Sequence, residues 1–191
     1  MLIKAEKDKI RMALRHKRRT LSATDRLKKQ QAILALLTAL PVYRQAKSIA
    51  CYWATQEEVP TDQLIYQIWQ DGKLAYLPVI QDHNHMAFYS YQHNDSLKRN
   101  KFNIAEPITE QRQPVAKTQL DMIVVPLVAF DSCGNRLGMG RGYYDRYLQD
   151  TSAVTLGFAY DLQYLDYLPA EPWDVRLDCV VTESQVYTLR E

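Results

Sequence analysis

The stretch from Asp121 to Leu148, "DMIVVPLVAFDSCGNRLGMGRGYYDRYL", decides the fold. Its first ten residues are a long apolar, β-rich run, which predicts a strand in a sheet covered on both faces. "DSCGN" predicts a turn. Gly138, Gly140 and Gly142 then precede "YYDRYL", which predicts the start of a helix. Because open α/β sheets bind ligands beyond the carboxyl ends of their strands, this glycine loop is a candidate binding site.

The rest of the chain alternates between helical and strand patterns. Ser22 and Asp25 resemble a capping box, and the helical pattern after them stops at Pro41. We predict helices at 4–19, 22–40 and 61–73, and strands at 48–54, 74–79, 86–91, 121–130, 153–160 and 178–183. This order predicts an α/β fold: a single domain over residues 1–191 with a mainly parallel sheet flanked by helices, in a Rossmann-like three-layer architecture.

Composition places the chain among ordinary globular proteins. None of its apolar runs approaches the roughly 20 residues that span a bilayer, and its charged N-terminus lacks a signal-peptide pattern, so we expect a cytoplasmic protein without a membrane partner. Its three cysteines form no C-x-x-C pair, which favours reduced thiols. His83 and His85 form an H-x-H without a nearby third ligand, which favours loop residues over a metal site.

Charge is distributed unevenly along the chain. Residues 1–30 hold eleven Lys or Arg against three acids, although the net charge of the whole chain is only +2. A basic leading helix indicates an anionic partner, which leaves nucleotide phosphates, nucleic acid and membrane surfaces as candidates, next to an ordinary solvated helix face. One function consistent with it is a non-catalytic module that binds nucleotides or nucleic acid through this helix.

The glycine loop has its own spacing, G-x-G-x-G. It matches neither the dinucleotide-binding G-x-G-x-x-G nor a P-loop, which requires G-K-[ST]. Glycines allow a ligand to approach the backbone, and a helix N-terminus attracts phosphate. Arg136 and Arg141 would add charge-assisted hydrogen bonds to phosphate oxygens.

The string "PLVAFDSCGNRLGMGRGYYDRYL" closely resembles the signature of the 5-formyltetrahydrofolate cyclo-ligase family. The resemblance extends over nearly the whole chain, in matching order and spacing. It includes "KDKIR" with "RRTLS", "EEVPT", "LPV", "NIAEP", "GFAYDLQ" and "LPAEPWDVRLDCVVTE". The family usually has glycine where this chain has Leu127, and commonly has tyrosine and glycine where it has Met139 and Arg141. These departures concern fine substrate contacts more than the reaction.

The resemblance implies an ATP-dependent, Mg²⁺-requiring conversion of 5-formyltetrahydrofolate to 5,10-methenyltetrahydrofolate, with release of ADP and phosphate. In that reaction ATP phosphorylates the formyl oxygen and N10 of the folate then attacks the formyl carbon. Such chemistry depends on positioned phosphates and charge neutralisation rather than on a covalent nucleophile. The partners implied are these two small molecules, with no nucleic acid, and the chain is expected to be a monomer.

The resemblance also implies roles for individual residues. The ATP-binding residues are Lys7, Arg11, Arg136, Leu137, Gly138, Met139, Gly140, Arg141, Gly142, Tyr143 and Tyr144. The folate-binding residues are Trp53, Glu58, Met139, Gly140, Arg141, Gly142 and Tyr143. Arg136 and Tyr143 are the catalytic candidates, and Asp145 and Asp174 are the Mg²⁺ candidates. Lys7 and Arg11 are four residues apart, so a helix presents both on one face.

Overall fold

The computed structural model of the chain describes residues 2–81 and 85–189. Five α-helices lie within these residues: α1 (Leu2–Arg19), α2 (Ala23–Ala39), α3 (Pro41–Gln45), α4 (Asp62–Gln70) and α5 (Tyr143–Leu148). Their sequence signals are visible. The Ser22 hydroxyl accepts from the backbone N–H of Asp25 (3.0 Å), as expected at an N-cap, and Pro41 opens α3 instead of continuing α2. No helix in 2–81 or 85–189 is long and apolar enough to cross a membrane.

The strands form one central sheet and two small ribbons. The central sheet has the order β11-β10-β9-β6-β1-β2-β3. Its five inner strands are parallel and its two edge strands pair antiparallel, which confirms the α/β prediction. The strands are β1 (Ser48–Ala50), β2 (Leu74–Ile80), β3 (Met86–Ser90), β4 (Leu97–Arg99), β5 (Ala105–Pro107), β6 (Met122–Pro126), β7 (Ala129–Phe130), β8 (Arg136–Leu137), β9 (Val154–Phe158), β10 (Cys179–Val181) and β11 (Val186–Thr188).

Helices cover both faces of this sheet. Successive side chains of a strand point to opposite faces, and in β6 Met122 and Val124 join the core layer under α2, α3 and α4. Ile123 and Val125 join the layer that contains α5. All four side chains are fully buried, as expected for a strand covered on both sides.

The predicted strand at 121–130 is wrong in one respect, because it is two strands. β6 ends at Pro126, and the carbonyls of Leu127 and Val128 accept from the Gln163 side chain (2.8 and 3.2 Å) instead of from a neighbouring strand. The Val128 N–H bonds to the Leu137 carbonyl (2.7 Å), so the chain turns into a separate β7–β8 hairpin. The hairpin packs against Leu14 of α1, which anchors that helix over the carboxyl edge of the sheet.

The strand order creates a place for a ligand. Numbered along the chain, the five parallel strands have the order 2-1-3-4-5, which reverses direction between β1 and β6. Crevices form at such a switch point, beyond the carboxyl ends of the strands. β1 ends at Ala50, shorter than the predicted 48–54, so the segment from Tyr52 onward leaves the sheet to become a wall of this crevice.

Candidate active site

A cavity of about 1590 Å³ opens at the switch point between β1 and β6. Its walls come from α1, the segment after β1, the ends of β2 and β6, the glycine loop and the 171–174 loop. Every residue predicted above for a site lines it: Lys7, Arg11, Trp53, Glu58, Arg136, Leu137, Gly138, Met139, Gly140, Arg141, Gly142, Tyr143, Tyr144, Asp145 and Asp174. The structure therefore brings together residues that are up to 167 positions apart in the sequence.

The N-terminal helix α1 forms the basic wall of the cavity. Lys7 is buried, and its ammonium donates to Asp174 (2.6 Å) and Glu171 (2.9 Å). Burial disfavours the charged amine, but the hydrogen bonds and charges of these two carboxylates outweigh burial and raise the pKa of Lys7. One turn later, the Arg11 Nε donates to the Gly138 carbonyl (2.9 Å). This single helix face therefore holds both the 171–174 loop and the glycine loop.

The glycine loop requires glycine at two positions for different reasons. Gly140 has φ +88°, and a Cβ there would lie 3.2 Å from the Arg11 guanidinium carbon. Gly142, the N-cap of α5, has φ +66°, and a Cβ there would lie 2.9 Å from Arg146 Nη1. Both backbones are left-handed, a conformation that side chains disfavour. The helix that follows the loop, α5, is only six residues long, so its dipole is that of a short helix.

The two predicted metal acids each have a basic partner. Asp145 accepts from the buried guanidinium of Arg136 through a short ion pair, and Asp174 accepts from Lys7 and from the backbone N–H of Glu171 (2.8 Å). Among the described residues no group of three or more His, Cys, Asp or Glu side chains converges on one point. The H-x-H hypothesis concerns His83, which lies outside the described residues.

The segment after β1 shapes the wall next to the C-terminal half of α1. The Tyr52 hydroxyl donates to the Val59 carbonyl (2.8 Å), and Glu58 accepts from the Thr55 N–H and hydroxyl (2.8 and 2.9 Å), which closes a tight turn. Thr61 is the N-cap residue of α4, and its hydroxyl donates to the Tyr52 carbonyl (2.7 Å) rather than capping the helix. Glu58 is thus held by the turn that its own side chain closes, and Trp53, just before this turn, packs edge-on against Tyr91 (6.1 Å between centroids).

An arginine cluster was missed by the sequence reasoning. Glu57 accepts from Arg15 (2.8 and 3.1 Å) and from Arg19, and these hydrogen bonds, Arg15 first, lower the pKa of Glu57 to about 2. Arg18 is 99% buried, donates to the Leu127 carbonyl (3.2 Å), and has its pKa lowered by burial. The signal was present in "RRTLS" and "EEVPT", but charge alone did not show which arginines turn inward.

The far end of the cavity is apolar and capped by a carboxylate. Glu106 is buried, and its Oε1 accepts from the Ile80 N–H (2.9 Å) and the Asn100 side chain (2.6 Å). Phe102 packs edge-on against Tyr143 (6.4 Å between centroids), and the Arg141 guanidinium lies 4.4 Å from the Phe102 ring centre. A flat aromatic ligand would find both apolar walls and hydrogen-bond acceptors here.

Comparison with known proteins decides the family. The family model of the 5-formyltetrahydrofolate cyclo-ligase family matches residues 3–183. The chain belongs to this family. It is 37% identical over 180 residues to the 5-formyltetrahydrofolate cyclo-ligase of Escherichia coli K12, covering 91% of this chain and 98% of the relative. It is 31% identical to the cyclo-ligase of Mus musculus, covering 95% of this chain and 96% of the relative.

Solved structures of cyclo-ligase relatives share the fold. The 5,10-methenyltetrahydrofolate synthetase of Aquifex aeolicus superposes with a TM-score of 0.86 at 34% identity, covering 97% of this chain and 93% of that one. The synthetase of Mycoplasma pneumoniae gives 0.76 at 27% identity, covering 93% and 99%. The resemblance of the glycine-loop string, and the mainly parallel sheet predicted from alternating elements, are both confirmed.

Leu127, one of the three departures named in the sequence analysis, has a packing role in the structure. Its side chain is buried, and its Cδ2 would lie 2.5 Å from a Cβ placed on Gly157 of β9. Leu127 thus fills the space that the missing side chain of Gly157 leaves open. Its backbone carbonyl accepts from Arg18 and Gln163, contacts that do not depend on the side chain at this position.

Proposed function

We propose that residues 1–191 form one catalytic domain that converts 5-formyltetrahydrofolate and ATP to 5,10-methenyltetrahydrofolate, ADP and phosphate. The observation that carries the proposal is one cavity at the switch point that combines the basic side chains of α1 with apolar side chains and carboxylates, among them Trp53, Glu58, Phe102 and Glu106. A reaction that transfers a phosphoryl group from a triphosphate to a flat folate needs both kinds of lining around one space. The match of the family model over nearly the whole chain supports this reading.

The nucleotide would occupy the side of α1 and the glycine loop. Lys7 and Arg11 would bind phosphate oxygens together with Arg141 and the backbone N–H groups of 137–142. Lys7 already sits in a carboxylate pair, so phosphate would compete with Glu171 and Asp174 for its ammonium. This arrangement keeps the ammonium charged and oriented before ATP arrives.

The folate would occupy the side of the 53–58 turn. Glu58 would accept hydrogen bonds from ring N–H groups, Trp53 would provide an apolar contact, and residues 139–143 would face both substrates. Tyr143, half-buried between Phe102 and Arg146, would border the place where they meet.

The chemistry requires positioning rather than a protein nucleophile. The formyl oxygen forms a bond to the γ-phosphorus of ATP, and the bond from that phosphorus to ADP breaks. N10 then bonds to the formyl carbon, phosphate leaves with the former formyl oxygen, and the N10 proton is lost to solvent. Arg136, buried beside the cavity, would stabilise the negative charge on the transferring phosphoryl group.

Asp145 and Asp174 are suited to hold Mg²⁺ if ATP phosphates supply the other ligands. Mg²⁺ is typically held by one or two carboxylates, with phosphate oxygens and water completing its ligands. Asp145 and Asp174 both border the cavity and supply hard oxygen ligands, so they would hold the ion against ATP phosphates. When bound, the ion would neutralise phosphate charge. Arg136 and Lys7 balance these carboxylates in the protein without ligand.

A nucleic-acid function has less support. The basic side chains at positions 4, 7, 11, 15, 18 and 19 of α1 all line the cavity rather than forming an open strip, and several are paired with acids.

The cytoplasmic location and the monomeric state stay predictions.

The test is the formation of the methenyl product by purified protein, followed by its absorbance. We expect product with 5-formyltetrahydrofolate and MgATP together, and none when either ATP or Mg²⁺ is left out. Product formed at full rate without nucleotide would overturn the proposal. Binding of duplex or single-stranded nucleic acid with a steep salt dependence, in the absence of any product formation, would favour the alternative.

A further inference from the structure

Trp173 is a large aromatic side chain that lines the cavity and stays open to solvent. It is 59% exposed. The other two tryptophans, Trp53 and Trp69, both pack against the ring of Tyr91 (6.1 and 5.3 Å between centroids). Among the described residues no second aromatic ring packs against Trp173. A free aromatic face in the lining of a ligand cavity is a surface on which a flat ligand can stack.

The backbone that carries Trp173 is a closed turn tied to α1. Pro172 and Trp173 are the central residues of a β-turn that the Asp174 N–H closes on the Glu171 carbonyl (2.9 Å), and the Glu171 N–H donates to the Asp174 side chain (2.8 Å). Proline at the first central position fixes the backbone there. The Lys7 ammonium binds the carboxylates at both ends of the turn, at 2.9 and 2.6 Å. The turn therefore positions Trp173 at the cavity before a ligand binds.

Helix α1 arranges three loops in order along one side of the cavity. From its start towards its end it contacts the 171–174 turn through Lys7, the glycine loop through Arg11, and the 53–58 turn through Arg15. An α-helix rises 1.5 Å per residue, so Arg15 lies about 12 Å further along the axis than Lys7. The glycine loop therefore lies between the turn that carries Trp173 and the 53–58 turn.

This order matches the order of chemical groups in a phosphoryl transfer from ATP. The γ-phosphate must meet the folate, which the proposed function places at the 53–58 turn, so the base lies at the opposite end of the triphosphate. That end is beyond Lys7, on the side of Trp173. We propose that the indole of Trp173 stacks on the adenine base of ATP, an inference that rests on the proposed function. Because stacking uses ring faces rather than ring edges, Trp173 holds other purine bases in the same way.

The chain offers a matched control for this contact. Tyr167 lies six residues before Trp173 and is 70% exposed, but it is not among the described residues that line the cavity. Trp173→Ala and Tyr167→Ala each remove an exposed aromatic ring, and Trp173→Phe keeps a ring that can stack. Because both parent rings are exposed, neither alanine variant should lower the unfolding midpoint.

The experiment measures calorimetric binding of MgADP, of inorganic triphosphate with Mg²⁺ and of 5-formyltetrahydrofolate, together with the KM for ATP and thermal unfolding. We expect Trp173→Ala to weaken ADP binding and to raise the KM for ATP by about five- to a hundredfold, the range that loss of one base–aromatic stack produces. Inorganic triphosphate has no base, so its affinity should stay at the parent value, as should the affinity for folate. Trp173→Phe should recover most of the ADP affinity, and Tyr167→Ala should match the parent.

Four results would overturn the inference. Trp173→Ala could bind ADP as tightly as the parent, or Tyr167→Ala could weaken ADP binding by the same factor. Trp173→Ala could lose as much affinity for inorganic triphosphate as for ADP, which would show that the turn acts on the phosphates. It could lose affinity for folate instead, which would place the folate ring on this side chain. A parent protein that binds ADP but forms no product would contradict the proposed function alone, and the ADP calorimetry would still test the stack.

Discussion

The contact of Lys7 with Asp174 and Glu171 predicts a double effect when the ammonium is removed. Lys7→Met keeps the length and most of the apolar stem of the side chain but leaves two neighbouring carboxylates without their cation. Hydrogen bonds to charged groups contribute about 1.5–3 kcal/mol each when shielded from water. The Asp174 and Glu171 side chains are 15% and 30% exposed, so water replaces part of what is lost. We therefore expect a loss of about 2 kcal/mol in the free energy of unfolding.

For a chain of this size, that loss corresponds to a fall of about 4–8 °C in the unfolding midpoint. If Lys7 also binds ATP phosphates, the KM for ATP should rise by about ten- to a hundredfold while the KM for folate stays within about twofold. Lys9→Met is the control, because Lys9 lies on the same helix, is exposed, and does not line the cavity within the described residues. It should leave both the midpoint and the two KM values unchanged.

The assays are thermal unfolding without ligands and initial rates at varied ATP and varied folate. The raised pKa of Lys7 also determines the pH range over which the Lys7 ion pairs stabilise the fold. The stabilisation by the pair is complete below the unfolded value of about 10.5 and is lost as the pH rises through the higher folded value, so the difference from Lys7→Met should persist at neutral pH. An unfolding midpoint that falls as expected with an unchanged KM for ATP would refute the reasoning, because Lys7 would then be a structural strut only.

The remaining predictions concern other contacts of the fold and site. Asp145→Asn should lower the free energy of unfolding by about 2 kcal/mol, because it leaves the buried Arg136 without its carboxylate partner. It should also lower turnover and raise the Mg²⁺ concentration that the reaction requires. Normal activity with a normal Mg²⁺ titration would contradict the metal role of Asp145. Glu57→Gln should lower the free energy of unfolding by about 1 kcal/mol at pH 7. The parent should lose this stabilisation as the pH falls from 4.5 to about 2, because the folded chain binds fewer protons than the unfolded one in this range, and the variant should not show this loss. Urea unfolding at several pH values measures the difference. Gly157→Ala should lower the free energy of unfolding by about 1–3 kcal/mol, because the added Cβ would collide with Leu127. The loss should be smaller when Leu127→Ala is also present. Losses in urea unfolding that simply add in the double variant would show that the two side chains do not occupy the same space.

The fold could be predicted where the sequence pattern reports local geometry. Local sequence patterns predicted three features: the helix α1, its neighbour's cap at Ser22, and the fully apolar strand β6. Such patterns are informative because burial of one face or of both faces determines where apolar residues recur. The break after Pro126 was not predictable from the apolar run. Val128 and Ala129 are as apolar as strand residues because they are buried against α1, and only the tertiary partner of their backbone groups makes them a hairpin.

Many of the residues that line the cavity could be predicted from the sequence, but their contacts with each other could not. The glycine-loop string and the resemblance it carries named part of the cavity lining, including Lys7 and Asp174 from opposite ends of the chain, but not Arg18, Phe102 or Glu106. The resemblance assigned these two to phosphate and metal, and gave no sign that they bond to each other. The burial of Arg18 was not predicted, because the sequence alone does not distinguish a buried arginine from a solvent-exposed one; only the packing around the side chain does.

The most direct test of the account follows the formyl oxygen itself. Purified protein is given MgATP and 5-formyltetrahydrofolate labelled with ¹⁸O in the formyl group, and the released phosphate is analysed by mass. Because this oxygen is phosphorylated and then leaves with the phosphorus in the proposed reaction, we expect one labelled oxygen in phosphate for each methenyl product formed. Methenyl product accompanied by unlabelled phosphate, or the absence of product with both substrates present, would contradict it.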